Sequence, residues 1–366
     1  MRIGIITPGY SQHEDEWAIP VLRHLVRRLS ERHELTVFTL RYPPRPATYS
    51  VDGVKVVALG GGTVGGFGRF PLYRQAGKVV CSAEPFDLLH AFWADEPGFV
   101  AVRAARRLQL PAVVSVFGGE LVNMPDIAYG GAVSRVNRVL TRYALRRASV
   151  VTAGSQYVGW MAEAVAPNAR IVQWSQGVNA PPTVQPNNTG NLLHVGALTP
   201  IKDQKMLLDA FARIVTALPD VQLTIVGDGR LRGELERYAG ELGIARRVAF
   251  LGRVPHEQMG AAYRSADLLL LTSRHESQGM VLLEAIAHGC AVTGTRVGLV
   301  PELAPAELTA DPRDAAALAR SAIRLLTNEH ERRALFGFQS AELQQKYTLD
   351  VAVEQIEELY EGVCTL

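Results

Sequence analysis

Short apolar runs alternate with amphipathic segments along nearly all of this chain. One such run is Ala112-Val113-Val114-Ser115-Val116, in which a single serine interrupts the hydrophobic side chains. A strand of this kind is buried on both faces, which is typical of a parallel sheet covered by helices. The alternation therefore predicts a doubly wound α/β architecture. Strands are predicted at residues 2–7, 35–40, 54–59, 87–92, 112–117, 149–153, 170–174, 192–195, 221–226, 248–251 and 268–271.

The alternation stops once, in a stretch rich in proline and polar residues at positions 179–190. Prolines in this stretch oppose both a continuous helix and a strand ladder. Because 366 residues exceed the size of one ordinary core, we predict two doubly wound domains, residues 1–180 and 191–348, joined by a linker at 181–190. Ligands of such sheets bind at the carboxyl ends of the strands, so a cleft is expected there.

Composition predicts a soluble protein of a reducing compartment. No window approaches the roughly 18 unbroken apolar residues of a membrane span. The chain starts directly with the strand-like run Met1–Ile6, without the features of a secretory signal, which predicts a protein that is not exported. Cys81, Cys290 and Cys364 are too widely spaced for a disulfide framework or a metal cluster, which favours the cytoplasm.

Charge is distributed unevenly along the chain. Residues 1–180 carry 20 Lys and Arg against 13 Asp and Glu, a net +7, whereas residues 181–366 carry 18 against 23, a net −5. The basic half contains four arginines at helical spacing, which should share one helix face: Arg135, Arg138, Arg142 and Arg146. Such a stripe suits an anionic membrane surface or a phosphorylated acceptor, and a solvated helix face is the alternative. Peripheral membrane contact is thus a hypothesis; no nucleic-acid partner is expected.

The sharpest chemical signal is a pair of glutamates separated by seven residues. Glu276 follows an apolar run, and Glu284 lies one turn into the next predicted helix, so both can face one pocket. The helix starts around Gly279, Met280 and Val281, where unpaired backbone N–H groups suit a diphosphate. Because Glu284 lies within an apolar run, where an unpaired charge is costly, we favour a functional role over a solvated surface glutamate.

Residues 273–302 combine this spacing with Gly298 and Glu302 further along. The segment resembles the donor-site signature of the retaining family 4 glycosyltransferases. The resemblance implies a GT-B fold, in which two Rossmann-like domains face each other across a cleft and the final helix, 349–366, crosses back to the first domain. Further matches are Gly177-Val178-Asn179, Gly196 with Lys202, Val226-Gly227-Asp228-Gly229, Phe250 to Val254, and Ala266-Asp267.

The resemblance also implies a role for each matching residue. Glu276 would contact hydroxyls of the transferred sugar, Glu284 would bind the ribose diol, and Lys202 would neutralise charge on the departing diphosphate. Glu120 would bind an acceptor hydroxyl. The implied donor site comprises Gly9, Gly196, Lys202, Arg253, Val254, Glu276, Gly279, Met280, Val281 and Glu284, and the implied acceptor site comprises Phe117, Gly118 and Glu120.

Two positions near the implied donor site depart from the family pattern. Glu16-Trp17 stands where members commonly carry a Gly-Gly pair, and Gly9 is the nearest glycine. Ala197 replaces a common arginine partner of Lys202. Another basic group, such as Arg274 or Arg253, would then substitute for it.

A third departure concerns the catalytic histidine. The histidine that members often carry at the end of the fourth large strand is Phe117 in this chain. His90 ends another strand and could face the cleft instead, which makes it our candidate catalytic histidine. A satisfied structural histidine is the alternative.

The sequence has no Asp-x-Asp motif in a suitable turn and no His/Cys cluster, so it does not indicate a metal site. We therefore expect metal-independent transfer, with no cofactor beyond a UDP-, GDP- or ADP-sugar co-substrate. The chain is interpreted as a retaining glycosyltransferase that acts on a saccharide, lipid or small-molecule acceptor. A nucleotide-sugar epimerase of the same fold and a non-catalytic nucleotide-sugar-binding protein are the alternatives.

Overall fold

A computed structural model describes residues 1–16, 18–83 and 85–365, and the chain divides into two compact units. Unit 1 comprises Met1–Gln176 and Ala352–Leu366, and unit 2 comprises Gly177–Val351. The division therefore falls before the predicted linker at 181–190. The end of that stretch is held within unit 2, because the Asp267 carboxylate accepts hydrogen bonds from the N–H groups of Thr189 and Gly190.

Within its described residues, unit 1 is built on an eight-stranded sheet. The strands are β1 (Arg2–Gly9), β2 (Glu34–Tyr42), β3 (Ala47–Val51), β4 (Val54–Ala58), β5 (Leu88–Phe92), β6 (Ala112–Val116), β7 (Val150–Ala153) and β8 (Ile171–Gln173). Their order is β3-β4-β2-β1-β5-β6-β7-β8, and only β3, at one edge, is antiparallel to its neighbour. Every residue of β5 and β6 is buried, as expected for strands covered on both faces.

The helices of unit 1 include four that pack on one face of the sheet. The helices before residue 176 are, in chain order, α1 (Pro20–Ser30), α2 (Arg69–Cys81), α3 (Glu96–Leu108), α4 (Arg135–Arg147) and α5 (Gln156–Val165), with short 3-10 turns at Gly66–Gly68, Pro125–Ile127 and Gly131–Val133. Helices α2 to α5 share one hydrophobic core with the sheet. Ser134 and Ser155 cap the starts of α4 and α5 by accepting backbone N–H groups.

Unit 2, whose residues are all described, contains a five-stranded parallel sheet in the order β11-β10-β9-β12-β13. Its strands are β9 (Leu192–Val195), β10 (Leu223–Val226), β11 (Val248–Gly252), β12 (Leu268–Leu271) and β13 (Ala291–Gly294). Its helices are α6 (Gln204–Ala217), α7 (Arg232–Glu241), α8 (Met259–Arg264), α9 (Met280–Ile286), α10 (Val300–Leu303), α11 (Ala315–Thr327) and α12 (Glu329–Glu342), with 3-10 turns at Pro200–Lys202, Ala245–Arg247, His256–Gln258 and Ala306–Leu308 and a π-helical turn at Leu343–Tyr347.

The strand order of each sheet reverses once. In unit 2 the chain runs outward from β9 through β10 to β11 and then restarts at β12 on the other side of β9. The loops after β9 and β12 therefore diverge, and ligands of open α/β sheets bind in the crevice between such loops. In unit 1 the corresponding reversal lies between β1 and β5.

The last helix, α13 (Leu349–Cys364), matches the helix predicted near the chain end and belongs to unit 1 from Ala352 onward. The indole N–H of Trp174 donates to the carbonyl of Ala352 at 2.9 Å. Glu357 forms an ion pair with Arg32 at 2.8 Å and a hydrogen bond with Nε2 of His33 at 2.9 Å. A search of the described helices finds none with the length and apolarity to cross a bilayer.

Candidate functional site

Lys202 and Glu276 come together at the carboxyl edge of the unit 2 sheet. Nζ of Lys202 forms an ion pair with Oε1 of Glu276, which also accepts a hydrogen bond from Oγ of Ser273 at 2.6 Å. The side chains are only 24% and 13% exposed. Burial acts to raise the pKa of Glu276, but Lys202 and Ser273 outweigh it and lower that pKa, so the carboxylate is ionised. The site thus holds a fixed cation beside a fixed anion.

Hydrogen bonds join the two loops that carry this pair. Oγ1 of Thr272, directly after β12, donates to the carbonyl of Lys202 at 2.8 Å. The N–H of Arg274 donates to the carbonyl of Ile201 at 2.8 Å. Since both loops leave the sheet at its reversal point, the topology brings the cation and the anion together although they are separated by 74 positions.

Two glycines, Gly196 and Gly298, lie next to the Lys202–Glu276 pair. A Cβ on Gly196 would lie 3.6 Å from the side chain of Lys202, an ordinary van der Waals distance, so this glycine faces the Lys202 side chain. Gly298 has a φ of 56°, and a Cβ there would lie 2.5 Å from the carbonyl oxygen of Gln278 and 2.9 Å from Cβ of Glu276. Only glycine fits at position 298, because both the backbone conformation and the contact exclude a side chain.

Glu284 has a different partner from Glu276. Helix α9 begins at Met280 after Gly279, which has a φ of 85°, and no side chain caps the first turn. Met280 and Val281 are half-buried. One turn later, the carboxylate of Glu284 accepts a hydrogen bond from the hydroxyl of Tyr263 on α8. Burial and Glu284 raise the pKa of Tyr263 well above its usual value, so the phenol stays protonated and remains the donor.

The two candidates for a second cation lie in different places. Arg253 and Val254 follow β11, the outer strand of the sheet, and Arg253 is exposed. In unit 2, which is described throughout, no hydrogen bond or ion pair joins Arg253 to Lys202 or Glu276. Arg274, in contrast, is half-buried in the loop that carries Glu276 and is bonded to the residue before Lys202.

His90 is a buried residue of unit 1, which contradicts the expectation that it faces a cleft. Its Nδ1 lies 2.6 Å from the hydroxyl of Tyr360 and its Nε2 lies 2.7 Å from Oγ of Ser115. The ring stacks on Phe92 at 4.2 Å, and burial lowers the pKa of His90 to about 3. The side chain is fully buried, and the ring of Tyr360 on α13 lies against it with the ring centroids 5.6 Å apart. His90 is therefore a neutral structural histidine.

Replacing His90 by alanine should destabilise unit 1. The change leaves a cavity and removes one hydrogen-bond partner from each of two buried hydroxyl groups, of which Ser115 keeps Thr152, so we expect a loss of about 2–4 kcal/mol in the free energy of unfolding. Tyr360→Phe, which removes one hydrogen bond but keeps the packing, should cost only about 1 kcal/mol. Urea unfolding measures both, and an unchanged midpoint for the alanine variant would contradict this assignment.

Glu120 joins the loops that follow β5 and β6. Its carboxylate accepts hydrogen bonds from the N–H groups of Ala94 at 3.1 Å, Phe117 at 3.0 Å and Gly118 at 2.8 Å. Glu120 is buried, and burial raises its pKa although these N–H groups oppose the change. Its carboxylate thus positions two loops, and its binding of an acceptor hydroxyl stays a prediction.

Trp93 and Asp95, which the sequence analysis did not single out, lie in these same loops. Trp93 has a φ of 73°, rare for an aromatic residue, and its ring lies 4.6 Å from that of Phe117. A Cβ on Gly118 would lie 2.7 Å from Nε1 of Trp93, so a side chain there would clash with the indole. Burial, followed by the charge of Glu120, raises the pKa of Asp95 to about 7. The only feature of the sequence that could have pointed to Trp93 and Asp95 is their position directly after a buried strand.

Gly9 is the last residue of β1, and the position of the missing glycine pair follows that strand. A Cβ on Gly9 would lie 3.0 Å from Cβ of Tyr42, so its small size serves the packing of β1 against β2. Its approach to a donor phosphate stays a prediction. Glu16 accepts a hydrogen bond from the N–H of Gln12 at 2.6 Å. Trp17 lies outside the described residues.

The four arginines of the predicted stripe all lie on α4, as their spacing indicated. They are exposed and line a groove of about 660 Å³ in unit 1. Within the described part of the chain, no carboxylate forms an ion pair with any of them. The members of the stripe are Arg135, Arg138, Arg142 and Arg146.

Comparison with known proteins relates both units to one group of enzymes. The family model for a glycosyl transferase 4-like domain matches residues 18–176, and the model for glycosyl transferases group 1 matches residues 189–328. The N-acetyl-alpha-D-glucosaminyl L-malate synthase of Bacillus anthracis is 28% identical over 309 residues, which cover 78% of this chain and 77% of that protein.

Solved structures with the same fold cover essentially the whole chain. Sucrose-phosphate synthase from Thermosynechococcus elongatus superposes with a TM-score of 0.80 at 21% identity, over 100% of this chain and 99% of that one. The Anabaena protein HepE in complex with UDP superposes with a TM-score of 0.75 at 19% identity, over 99% and 100%. These structures confirm the predicted GT-B class with two Rossmann-like domains. The chain belongs to the group 1, family 4-like glycosyltransferases.

Proposed function

We propose that this glycosyltransferase moves a sugar from a nucleotide-diphosphate-sugar to a saccharide, lipid or small-molecule acceptor, with retention of configuration and without a metal ion. The observation that carries the proposal is the largely buried Lys202–Glu276 pair at the reversal point of the unit 2 sheet. A cation suits the diphosphate of the donor, and a carboxylate suits the hydroxyls of its sugar. Retention is inferred from the resemblance of residues 273–302 to the retaining members.

Lys202 is the proposed electrostatic catalyst. When the bond between the anomeric carbon and the diphosphate oxygen breaks, negative charge builds on that oxygen. A fixed cation beside the leaving oxygen stabilises this charge more in the transition state than in the ground state. The Glu276 carboxylate keeps its hydrogen bond from Ser273 when Lys202 contacts the diphosphate. It can therefore accept hydrogen bonds from sugar hydroxyls while Ser273 still holds it in place.

Three further residues complete the proposed donor site. Arg274 is the proposed second cation in place of the arginine that Ala197 replaces, because its loop is bonded to that of Lys202. Glu284 is proposed to accept hydrogen bonds from the ribose diol, and the Tyr263 hydroxyl orients its carboxylate. UDP-sugars are the first donors to test, since HepE has been solved with UDP and with UDP-glucose. GDP- and ADP-sugars are the other candidates.

The acceptor is proposed to bind in unit 1 near Trp93, Phe117 and Asp95. The two rings offer half-buried apolar faces, and the Asp95 carboxyl group offers a hydrogen-bonding partner for a hydroxyl. The unusual backbone of Trp93 supports this location, because strained residues concentrate at functional sites. Peripheral membrane contact through the α4 arginines is a separate proposal, since it depends on surface charge and not on the donor site.

Incubation of the purified chain with UDP-, GDP- and ADP-sugars, with and without candidate acceptors, tests the reaction. We expect release of one nucleoside diphosphate that accelerates with an acceptor and persists in EDTA, and a product that keeps the anomeric configuration of the donor by NMR. Interconversion of the donor sugars would instead support an epimerase. Donor binding without turnover under every acceptor tried would support a binding protein, and loss of turnover in EDTA would contradict metal independence.

A further inference from the structure

The outer surface of helices α2 to α5 carries charge of almost one sign. These four helices, which are fully described, present ten exposed Lys or Arg side chains: two on α2, three on α3 and five on α4. They present one exposed carboxylate, Glu163; their other acid, Glu96, is buried and paired with Arg41. A solvated helix surface normally mixes both signs, because like charges at helical spacing repel each other. This surface is therefore built for an anionic partner.

Two grooves run along this helical layer. The larger, between α4 and α5, is lined by Arg135, Arg138, Arg142 and Arg146 together with apolar residues that include Leu121 and Val165. The second, of about 420 Å³ between α2 and α3, is lined by Arg74, Lys78, Arg103 and Arg107. Each groove thus combines cations with an apolar floor, which suits a ligand that is both anionic and partly apolar.

Exposed apolar side chains lie beside these cations. Val139 is 68% exposed between Arg138 and Arg142, and Trp160 on α5 is 60% exposed. Trp160 shares a helix face with Ala164, four residues on, which lines the larger groove. Tryptophan and aliphatic side chains beside basic residues are typical of helices that lie in the interface of a lipid bilayer. Such residues bring no advantage against the phosphates of a nucleic acid duplex, which are contacted by polar and basic groups.

The geometry points to a membrane-binding surface: we propose that the outer face of α2 to α5 binds anionic phospholipid bilayers, with lipid phosphates in the α4–α5 groove and Val139 and Trp160 at the acyl boundary. Arg135 and Arg146 are separated by about 16 Å at the helical rise of 1.5 Å per residue. A row of that length contacts several headgroups at once. The proposal deepens the peripheral membrane contact proposed above, on which it rests, by naming the surface, the lipid class and the apolar side chains that enter the bilayer; it does not depend on the donor site.

Vesicle flotation with a charge-removal pair tests the cationic part. Arg138→Gln/Arg142→Gln should bind vesicles of phosphatidylcholine and phosphatidylglycerol about 30-fold more weakly than the unchanged chain, since each basic residue near an anionic surface contributes about fivefold. The matched control is Arg237→Gln/Arg246→Gln, which removes two exposed arginines from unit 2 and should bind normally. Equal losses in both pairs, equal binding to pure phosphatidylcholine, or no binding to either vesicle would overturn the proposal.

A second variant separates a bilayer from a nucleic acid. Trp160→Ala/Val139→Ser keeps every cation, so it should lose vesicle binding while any weak binding to duplex DNA stays unchanged. Vesicle binding that survives this variant, or DNA binding tighter than vesicle binding, would reject the bilayer as the partner. All variants should bind UDP as the unchanged chain does, and calorimetry with UDP therefore distinguishes failure of this proposal from failure of the donor site.

Discussion

Lys202→Ala should lower the turnover number for sugar transfer by about 10³-fold while unit 2 stays folded. The reason is that Lys202 is the cation held at the reversal point of the sheet, beside the position proposed for the leaving diphosphate. Its removal leaves the charge that develops on the departing oxygen without its closest counter-charge. Steady-state kinetics with the donor identified by nucleotide release gives the measurement, and calorimetry should show weaker binding of UDP as well.

Lys205→Ala is the matched control for that change. Lys205 lies on α6, is exposed, and pairs with Glu234 at 2.6 Å at the surface. Solvent screens exposed ion pairs, so they contribute little to stability, and this variant should keep both its stability and its turnover. Similar losses in the two variants would indicate a general effect of lysine removal, and an active Lys202→Ala enzyme would remove the electrostatic role assigned to that residue.

Glu276→Gln should abolish detectable transfer but leave the binding of UDP intact. Glutamine keeps the size of the side chain and an oxygen for the Ser273 hydroxyl, so unit 2 is expected to fold. It removes the ionised acceptor that we assign to the hydroxyls of the transferred sugar. UDP lacks the transferred sugar, so its binding does not depend on that contact. Glu276→Ala should behave in the same way. Transfer assays combined with UDP calorimetry separate the sugar contact from the nucleotide contact.

The exposed residue Glu307 provides the control for Glu276. Glu307→Gln removes the same charge from the surface of unit 2 and should leave transfer unchanged. Near-normal transfer by Glu276→Gln would contradict the central assignment of the donor site. If UDP binding were lost together with transfer, Glu276 would act on the nucleotide or on the fold of its loop and not on the sugar.

The fold was predictable because parallel strands buried on both faces leave a strong local pattern. β3 was missed because it is an edge strand with mostly exposed side chains that follows Pro43, Pro44 and Pro46. The available signal was Asp52-Gly53, the two-residue turn between β3 and β4. Both residues have positive φ, 51° and 78°, as a type I′ hairpin turn requires.

The residues of the proposed donor site come from a sequence motif, but their partners could not be predicted from it. The pairing of Lys202 with Glu276 depends on how two distant loops leave the sheet, and the hydrogen bond from Tyr263 to Glu284 depends on the packing of α8 against α9. The same reason explains the error at His90. Its partner Tyr360 lies 270 positions away, so no local pattern shows that both ring nitrogens are occupied.

The partnership of His90 with Tyr360 also constrains the order in which the molecule can mature during synthesis. The central strand β5 leaves the ribosome early, whereas the helix that supplies the buried phenol is made after all of unit 2. Domains usually fold as they emerge, beginning at the amino terminus. Here the first unit to be made is the last to be completed, because the helix that covers His90 is translated only after the second unit.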